Sequence, residues 1–566
     1  MFNSAKLSVN FQKYGTKSEN DNENFFEGGA VLDKNGDIEE VKVGVKCCRL
    51  PYDYAKVFSP DESIYVDLKC DFSIIGAVSR VSFNPFWSVP NFEKNTSRLG
   101  SETQNILMHT DKGYVAVLPL CSDDYISFIV PSELNGNLRI CVSKQYYGSE
   151  NVNGTIVVAA FDKNPYLAVR KAYTHAWSKG YIKTNPYSSK RLPDFLEGIG
   201  WCTWNACYHD VSEEKIFSKM DEFKQKGINI RWIVIDDGWF EISKHDEFKI
   251  ASTFEDKEKF PNGLRSCIDT LKTKYGVEYV GVWHSMTAYW YGVDNQSDLY
   301  EQTSAELTLT DSGWYIPVGE NAYTFFNRWH KYLKKQGVDF LKIDTQGNVA
   351  EFLRGRKGCS GECIATHLAI ERSAHEVFEG RVINCMASQN INLHFHPYTN
   401  VVRSSDDFYP KSPESFSQHI IQNIYNGIFL SDLFCCDFDM WWTHNSVAES
   451  SFILRLLSGG PIYVSDEIGM TEAKYLKDFD KINKCDGVAR PAEKHLFTDP
   501  NGGLFEIENS IDGHPVRAIF NLSDGRLEYK IPESGTAYFD GKKFIGDESC
   551  KITLNPLEAV LVTHSI

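Results

Sequence analysis

Residues 212–237 read SEEKIFSKMDEFKQKGINIRWIVIDD, and this stretch decides the fold. In its first half, the apolar residues Ile216, Met220 and Phe223 fall on one face of a helix. Gly227 follows that pattern and is a typical end of a helix. The second half is an apolar run of strand length that ends in two adjacent aspartates. A helix that leads into a buried strand is the unit of a βαβ repeat, so the stretch predicts a parallel sheet.

The same alternation of apolar runs and helical patterns continues from about residue 195 to about residue 485. Eight strands in about 290 residues match a (β/α)8 TIM barrel of ordinary size. The eight candidate strands are residues 197–204, 230–237, 279–284, 340–344, 381–386, 400–407, 428–432 and 460–466.

The regions on both sides alternate apolar and polar residues with the period of two that half-buried strands show. Gly, Asn and Asp turns separate the N-terminal runs, which favours a β-sandwich. Asn-Gly pairs, typical of tight hairpin turns, begin at Asn35, Asn135 and Asn153.

We therefore predict a multidomain α/β protein with a central (β/α)8 TIM barrel. An N-terminal β-sandwich domain spans residues 1–190, and the catalytic barrel spans residues 191–487. A small C-terminal antiparallel β domain spans residues 488–566.

The net charge and the residue composition indicate which kinds of molecule the protein does not bind. The formal net charge of −17 argues against nucleic-acid binding and against an anionic membrane surface. No apolar run is long enough to cross a membrane, and the first residues do not read as a secretory signal, so we expect a cytoplasmic protein. The fifteen cysteines lack zinc-site spacing and are expected to be small core residues. The sequence leaves a homo-oligomer open.

Carboxylates gather where the candidate strands end, and in a barrel these ends converge on the face that holds the active site. One aspartate after a strand is commonly only a helix cap, but five strands ending this way beside tryptophans are typical of a sugar pocket. The aspartates are Asp236, Asp237, Asp344, Asp406, Asp407, Asp432, Asp437, Asp439 and Asp466, and the tryptophans are Trp201, Trp204, Trp239 and Trp283.

A pair of these carboxylates fits glycoside cleavage, which needs one ionised carboxylate and one carboxylic acid. Lys342 and Asp344 lie two residues apart on one strand and face the same side, so the ammonium is expected to keep Asp344 ionised as the nucleophile. The acid then comes from Asp406 or Asp407, about 5–5.5 Å away in a retaining enzyme.

Two other classes remain open. Clustered aspartates are also ligands for a divalent cation, but Lys342 and Arg403 lie inside the cluster, and His284 has no companion at ligand spacing. We therefore expect no metal and no other cofactor. A catalytically silent sugar-binding protein is the second alternative, although it would not need a matched acid and nucleophile.

Seven motifs run in one order through the whole barrel, and with them the sequence resembles glycoside hydrolase family 36. The resemblance is to the branch that contains raffinose synthases and alkaline α-galactosidases. The motifs are residues 200–204, 235–239, 281–284, 340–344, 403–410, 437–440 and 459–466.

The resemblance implies a retaining, exo-acting α-galactosidase that acts by double displacement on an oligosaccharide or glycoside with a terminal α-galactose-like sugar. Asp344 would be the nucleophile. Asp407, four residues after Arg403, would be the acid/base, with Asp406 a close second. The remaining implied sugar-binding residues are Trp201, Trp204, Asp236, Asp237, Trp239, Trp283, His284, Lys342, Cys385 and Arg403.

The stretch 384–390 would face the C2 substituent of the sugar. Its small residues Ala387 and Ser388 would admit an N-acetyl group, as in an α-N-acetylgalactosaminidase, or would merely start a helix. A galactosyl transferase of the raffinose synthase type is the other alternative. The chain is short beside plant raffinose synthases, which favours hydrolysis.

Overall fold

The computed structural model describes residues 7–11, 26–47, 63–143, 152–188, 192–245, 248–477, 479, 485–533, 535–546 and 550–564. In its N-terminal part, eleven strands are hydrogen-bonded in one antiparallel series, in which a single residue pair, Thr103 and Ile129, joins two halves. The β-sandwich remains a prediction. The strands are β1 (Leu7–Phe11), β2 (Phe26–Asn35), β3 (Ile38–Cys47), β4 (Ser63–Cys70), β5 (Ile74–Ser82), β6 (Ser88–Asn91), β7 (Thr103–Thr110), β8 (Gly113–Pro119), β9 (Ile126–Val130), β10 (Asn137–Ser143) and β11 (Val152–Asp162).

Strands from both halves of this series contribute to one apolar core, with Leu68 of β4 and Ile140 of β10 from one half and Met108 of β7 from the other. Alternate residues of one strand point to opposite faces. Ile106 and Met108 of β7 belong to a core built by the sheet itself, whereas Leu107 packs in the core shared with the barrel. The half of the series that contains β7 therefore has this apolar core on one face and the barrel on the other.

Two of the predicted hairpin turns have different outcomes. Asn35-Gly36 joins β2 to β3, with φ of +62° at Gly36, as predicted. The pair at Asn153-Gly154 lies inside β11 instead. A Cβ at Gly154 would lie 2.6 Å from the Tyr125 hydroxyl, so that glycine serves a close approach and not a turn.

The middle of the chain supplies the central sheet and two small hairpins. Its strands are β12 (Ile199–Cys202), β13 (Trp232–Ile235), β14 (Ile242–His245), β15 (Phe248–Ala251), β16 (Tyr279–Ser285), β17 (Leu307–Leu309), β18 (Tyr315–Pro317), β19 (Phe340–Asp344), β20 (Val382–Asn384), β21 (Val401–Arg403), β22 (Cys435–Asp437) and β23 (Ile462–Val464).

Eight of these strands are parallel and hydrogen-bonded in chain order, from β12 through β13, β16, β19, β20 and β21 to β22. The last strand, β23, pairs in parallel with the first. The remaining junction is one parallel bridge from Trp441 to Val464. This is the strand order of a (β/α)8 barrel.

The eleven helices of the described residues include the connections between these strands. They are α1 (Pro165–Ser178), α2 (Trp204–Cys207), α3 (Glu213–Gln225), α4 (Gly263–Tyr275), α5 (Asp298–Thr303), α6 (Glu320–Lys335), α7 (Asn348–Leu353), α8 (Cys359–Phe378), α9 (Asn390–Leu393), α10 (Phe416–Leu430) and α11 (Ala448–Ser458). The predicted helix after Ser212 is α3, and the Ser212 hydroxyl accepts the Lys215 N–H at 3.3 Å as its cap. None of the described helices has the length and apolar character of a membrane span.

The seventh strand of the barrel is Cys435–Asp437, so its predicted position at residues 428–432 is wrong. Residues 428–430 form the last turn of α10. This helix ends in the apolar run Ile428-Phe429-Leu430, and periodicity alone does not distinguish so short a run from a buried strand. Asp432 precedes the true strand and pairs with Arg170 of α1 at 2.9 Å, so it does not join the carboxylates at the strand ends.

The C-terminal part is antiparallel, as predicted, and forms a six-stranded and a two-stranded sheet. The predicted domain boundary between 190 and 191 lies outside the described residues. The boundary between 487 and 488 precedes the first strand of these sheets, and both remain predictions. The strands are β24 (Arg490–Pro491), β25 (Leu504–Ile511), β26 (His514–Asn521), β27 (Leu527–Lys530), β28 (Gly535–Phe539), β29 (Lys542–Ile545), β30 (Lys551–Leu554) and β31 (Ala559–His564).

Candidate active site

The interior of the barrel changes from apolar to charged towards the C-terminal strand ends. On β19 the inward positions are Phe340, Lys342 and Asp344, because side chains alternate along a strand. On β21 they are Val401 and Arg403. Apolar side chains therefore fill the barrel at the N-terminal ends of the strands, and ionisable groups occupy the C-terminal ends.

Lys342 lies between two carboxylates but is much nearer to one of them. Its Nζ is 2.7 Å from Oδ2 of Asp236 and 4.0 Å from Oδ2 of Asp344. Burial opposes the ammonium, but Asp236 together with Cys385, Cys202 and Asp344 offsets burial and holds the pKa of Lys342 well above its usual value. The Lys342 charge is thus committed mainly to Asp236.

Asp344 is held in one orientation by two donors. Oδ2 accepts the Trp283 indole N–H at 2.8 Å, and Oδ1 accepts the Thr345 backbone N–H at 2.8 Å. Thr345 has φ of +54°, a costly conformation for a β-branched residue and one that is common at functional sites.

The pKa of Asp344 is raised above its usual value of 3.8, because burial outweighs Lys342 and the Trp283 hydrogen bond, which both lower it. Lys342 lowers this pKa, as the sequence predicted, but burial outweighs it and the net pKa is raised. That Asp344 is ionised as the nucleophile remains a prediction.

Across the barrel, Arg403 joins the candidate acid/base to a deeper carboxylate. Its guanidinium lies 3.2 Å from Oδ1 of Asp407 and 2.8 Å from Oδ1 of Asp439. The Asp407 side chain is 41% exposed, whereas Asp439 is fully buried and its pKa is raised by burial to about 6. The cluster thus pairs one solvent-accessible carboxyl group with one inaccessible one.

Asp406 has a different environment from its neighbour. Its Oδ1 accepts the Asp407 backbone N–H at 2.7 Å and the Tyr409 hydroxyl at 3.3 Å. Burial raises its pKa. These bonds shape the turn that presents Asp407, and the choice between Asp406 and Asp407 as the acid/base remains a prediction.

Asp236 and Asp237 follow β13 and are both buried. Asp237 accepts the Tyr289 hydroxyl at 2.8 Å and the Trp290 indole N–H at 3.4 Å. Nε2 of His209 lies 3.2 Å from Oδ2 of Asp237, the oxygen that also accepts the Trp290 indole. Trp204 packs edge-on against His209 at the half-buried rim. The structure therefore brings Trp204, Asp236 and Asp237 to the same end of the barrel.

Three predicted residues are not brought to this cluster as sugar contacts. Trp201 points outward and packs on Phe223 of α3. Trp239 is buried behind the site and donates its indole N–H to the Trp283 carbonyl at 2.8 Å. His284 faces the helices.

His284 alternates with the inward Trp283 and so points away from the barrel axis. Its Nε2 lies 3.0 Å from Nε2 of His330, and its ring stacks on Phe326 of α6. Burial lowers the pKa of His284 to about 4, so it is a neutral residue of the packed helical layer.

Cys385 does lie at the cluster. Its Sγ is 3.7 Å from NH1 of Arg403. The stretch beyond it is tied to the N-terminal sheet, since the Ser388 carbonyl accepts a hydrogen bond from Arg80. The short helix α9 begins at Asn390, so this stretch both reaches the site and leads into a helix.

Residues between β5 and β6 of the N-terminal part also lie at the site and were not identified from the sequence. The Trp87 ring lies 5.3 Å from the Arg403 guanidinium, and Phe86 meets Trp290 edge-on at 6.3 Å. A Cβ at Gly347 would lie 2.2 Å from the Pro85 carbonyl, so this loop packs closely on the end of β19. The adjacent aromatic residues Phe86 and Trp87 are the local signal for this role, because contacts more than 200 residues apart leave no local pattern.

In the described part of the chain, no three His, Cys, Asp or Glu side chains are grouped as a metal site. The expectation of no metal and no cofactor remains a prediction.

Comparison with known sequences gives a consistent match. The family model described as raffinose synthase or seed imbibition protein Sip1 matches residues 71–259 and 244–522. Probable galactinol–sucrose galactosyltransferase 1 of Arabidopsis thaliana is 26% identical over 505 residues, 78% of this chain and 66% of that protein. Probable galactinol–sucrose galactosyltransferase 6 of the same plant is 29% identical over 471 residues, 75% of this chain and 61% of that protein. The matches thus span just under two thirds of these relatives.

Solved structures share the fold at low sequence identity. The α-galactosidase from Lactobacillus brevis superposes with a TM-score of 0.58 and 11% identity, covering 100% of this chain and 85% of that one. The GH36 α-galactosidase AgaA from Geobacillus stearothermophilus gives a TM-score of 0.57 and 10% identity, covering 99% and 87%.

Proposed function

Because the chain belongs to the raffinose synthase or seed imbibition protein Sip1 family, we propose that it cleaves terminal α-galactosides with retention of configuration. The match to this family confirms the resemblance that the barrel motifs indicated. The activity, the substrate and the roles of the residues are our proposal.

One observation carries the proposal: Asp344 and Asp407 both lie at the C-terminal end of the barrel, but one is buried and the other is partly exposed. Asp344 is buried and fixed by two hydrogen bonds, as a nucleophile requires. Asp407 is partly exposed and held by Arg403, as suits a group that exchanges protons with a leaving group and with water. The two charges lie close enough to act on each other.

In the first step, Oδ of Asp344 attacks the anomeric carbon, and the glycosidic C–O bond breaks. Asp407 gives its proton to the departing oxygen, so the aglycone leaves as a neutral alcohol. In the second step, Asp407 takes a proton from water or an acceptor hydroxyl, which attacks the same carbon and releases Asp344.

The remaining polar groups suit recognition of a neutral sugar. The carboxylates of Asp236 and Asp237 accept hydrogen bonds from hydroxyls such as O4 and O6, and Lys342 and Arg403 donate to others. All four are buried, so a sugar replaces water at groups that are already oriented.

Transfer to a sugar acceptor is the second candidate function. It is favoured by the curated relatives, whose names describe galactosyl transfer to sucrose. Hydrolysis and transfer share the glycosyl-enzyme and differ only in the hydroxyl that attacks it.

The test incubates the enzyme with an aryl α-galactoside, with and without sucrose, and measures aryl alcohol, free galactose and trisaccharide. Equal aryl alcohol and galactose support hydrolysis, and an excess of aryl alcohol matched by trisaccharide supports transfer. The sequence also leaves an α-N-acetylgalactosaminidase open. Turnover of an aryl α-N-acetylgalactosaminide in preference to the galactoside would favour that activity. Activity that persists in Asp344→Ala would contradict all three.

A further inference from the structure

Asp439 is a fully buried carboxylate that the proposed steps leave without a role. Its Oδ1 lies 2.8 Å from NH1 of Arg403, the residue that holds Asp407. Its Oδ2 accepts the Phe408 backbone N–H at 2.7 Å, and Phe408 directly follows Asp407. Asp439 therefore acts on the acid/base in two ways. It pairs with Arg403, which also pairs with Asp407, and it accepts the backbone N–H of the residue that follows Asp407.

The backbone of Asp439 is itself fixed on both sides. It lies two residues beyond β22 with φ of +67°, a conformation that Asp tolerates better than most residues. Its N–H is accepted by Oδ1 of Asp437 at 2.9 Å, and its carbonyl accepts Nε of Arg455 at 3.2 Å. The Tyr463 hydroxyl anchors Asp437 in turn at 2.8 Å.

We propose that Asp439 is a positioning residue that orients the acid/base segment and shares the Arg403 charge with Asp407. This inference rests on the proposed function, because it assigns a task only if Asp407 delivers a proton. While Asp439 is ionised it neutralises one side of Arg403. Without its charge, Arg403 has Asp407 as its remaining carboxylate partner and stabilises the ionised Asp407, which cannot donate.

The charged and titratable groups around the pair are few and lie on several elements. Those acting on Asp439 are Arg403, Arg455, Asp437, Asp407 and Tyr463. Those acting on Asp407 are Arg403, Asp344, Asp406, Asp439, Tyr409 and Cys385.

The experiment compares Asp439→Asn with wild type on two α-galactosides. Dinitrophenyl galactoside has a leaving group that departs without a proton, and methyl galactoside needs one. We expect kcat/KM for the methyl substrate to fall at least about tenfold more than for the dinitrophenyl substrate. We also expect the basic limb of its pH profile to move down by about one unit, because only the protonated acid is active.

Asp466→Asn is the matched control. Asp466 is equally buried beyond β23 and accepts the Thr443 N–H and hydroxyl at 2.6 and 2.8 Å. We expect Asp466→Asn to affect both substrates in equal proportion and to leave the basic limb in place. Asp439→Ser, which is also neutral, carries the same expectations if the Asn variant does not fold.

Equal losses on both substrates in folded Asp439→Asn, with an unmoved basic limb, would overturn the inference. That result leaves the proposed function standing, because wild type still turns over both substrates. A wild-type enzyme that cleaves neither galactoside would overturn the proposed function, and the inference with it.

Discussion

The indole Nε1 of Trp283 donates a 2.8 Å hydrogen bond to Oδ2 of Asp344. The Lys342 ammonium is 4.0 Å from the same oxygen and is engaged by Asp236. Trp283 is therefore the side-chain donor that fixes this carboxylate most directly, although the resemblance implied only that it binds the sugar.

Replacing Trp283 by Phe should lower kcat/KM for an aryl α-galactoside by about 10–100-fold, because the nucleophile loses the donor that orients it. The fold should persist, since an aromatic ring remains. Steady-state kinetics together with a thermal melt test this expectation. Unchanged kinetics in a folded variant would mean that the hydrogen bond does not matter to the reaction.

Trp201→Phe is the matched comparison, because Trp201 packs outward against α3. We expect its kcat and KM to stay within about twofold of wild type, while the free energy of unfolding drops by about 1–2 kcal/mol. Chemical denaturation and kinetics on the same preparation distinguish these effects. A large rise in KM would restore Trp201 as a sugar contact.

The sequence predicted the barrel and most of the cluster because both depend on local patterns. Period-two alternation placed Lys342 and Asp344 on one face, and the structure agrees. The same rule, applied to β16, would have turned His284 outward once Trp283 was assigned inward. Strand seven was misplaced because the apolar end of α10, residues 428–430, resembles a short buried strand, and so short a run has no distinguishable period.

The parts that sequence reasoning missed depend on contacts between distant segments. Trp87 reaches Arg403 from another sheet, and the preference of Lys342 for Asp236 spans 106 residues. Neither contact has a spacing rule, so only the folded arrangement reveals it. The raised pKa of Asp344 follows from that arrangement and from burial.

The pH profile should report this raised pKa. Asp344 attacks only when ionised, so activity is lost as the pH falls through its pKa, and burial moves that loss to higher pH. We expect the acidic limb of kcat/KM to lie above 3.8, the usual value for Asp. Lys342→Met removes a charge that lowers this pKa, so its acidic limb should move higher still. A wild-type limb at or below 3.8 contradicts this account.

The two neighbouring acids can be separated by one pair of variants. Asp407→Asn should lower kcat/KM for methyl α-galactoside by about 10²–10⁴-fold, because the proton donor is lost. Asp406→Asn keeps an acceptor for the Asp407 N–H and should cost about tenfold or less. Kinetics on both variants decides the assignment, and the reverse order of effects would make Asp406 the acid/base.

Arg80 should contribute to stability more than to chemistry. It is buried in the N-terminal sheet and donates to Oδ1 of Asn105 at 2.6 Å and to Oδ1 of Asn390 at 2.6 Å. Arg80→Met leaves these acceptors unpaired and should lower the free energy of unfolding by about 3 kcal/mol. Urea denaturation measures the free energy of unfolding. A decrease of less than about 1 kcal/mol would show that the two asparagine oxygens find other donors.

The anomer of the first sugar released tests the central claim most directly. Proton NMR during the early turnover of an aryl α-galactoside distinguishes α- from β-galactose before mutarotation. Two displacements, at Asp344 and then by water, predict α-galactose as the first product. Initial release of β-galactose would require a single displacement and would contradict Asp344 as the nucleophile.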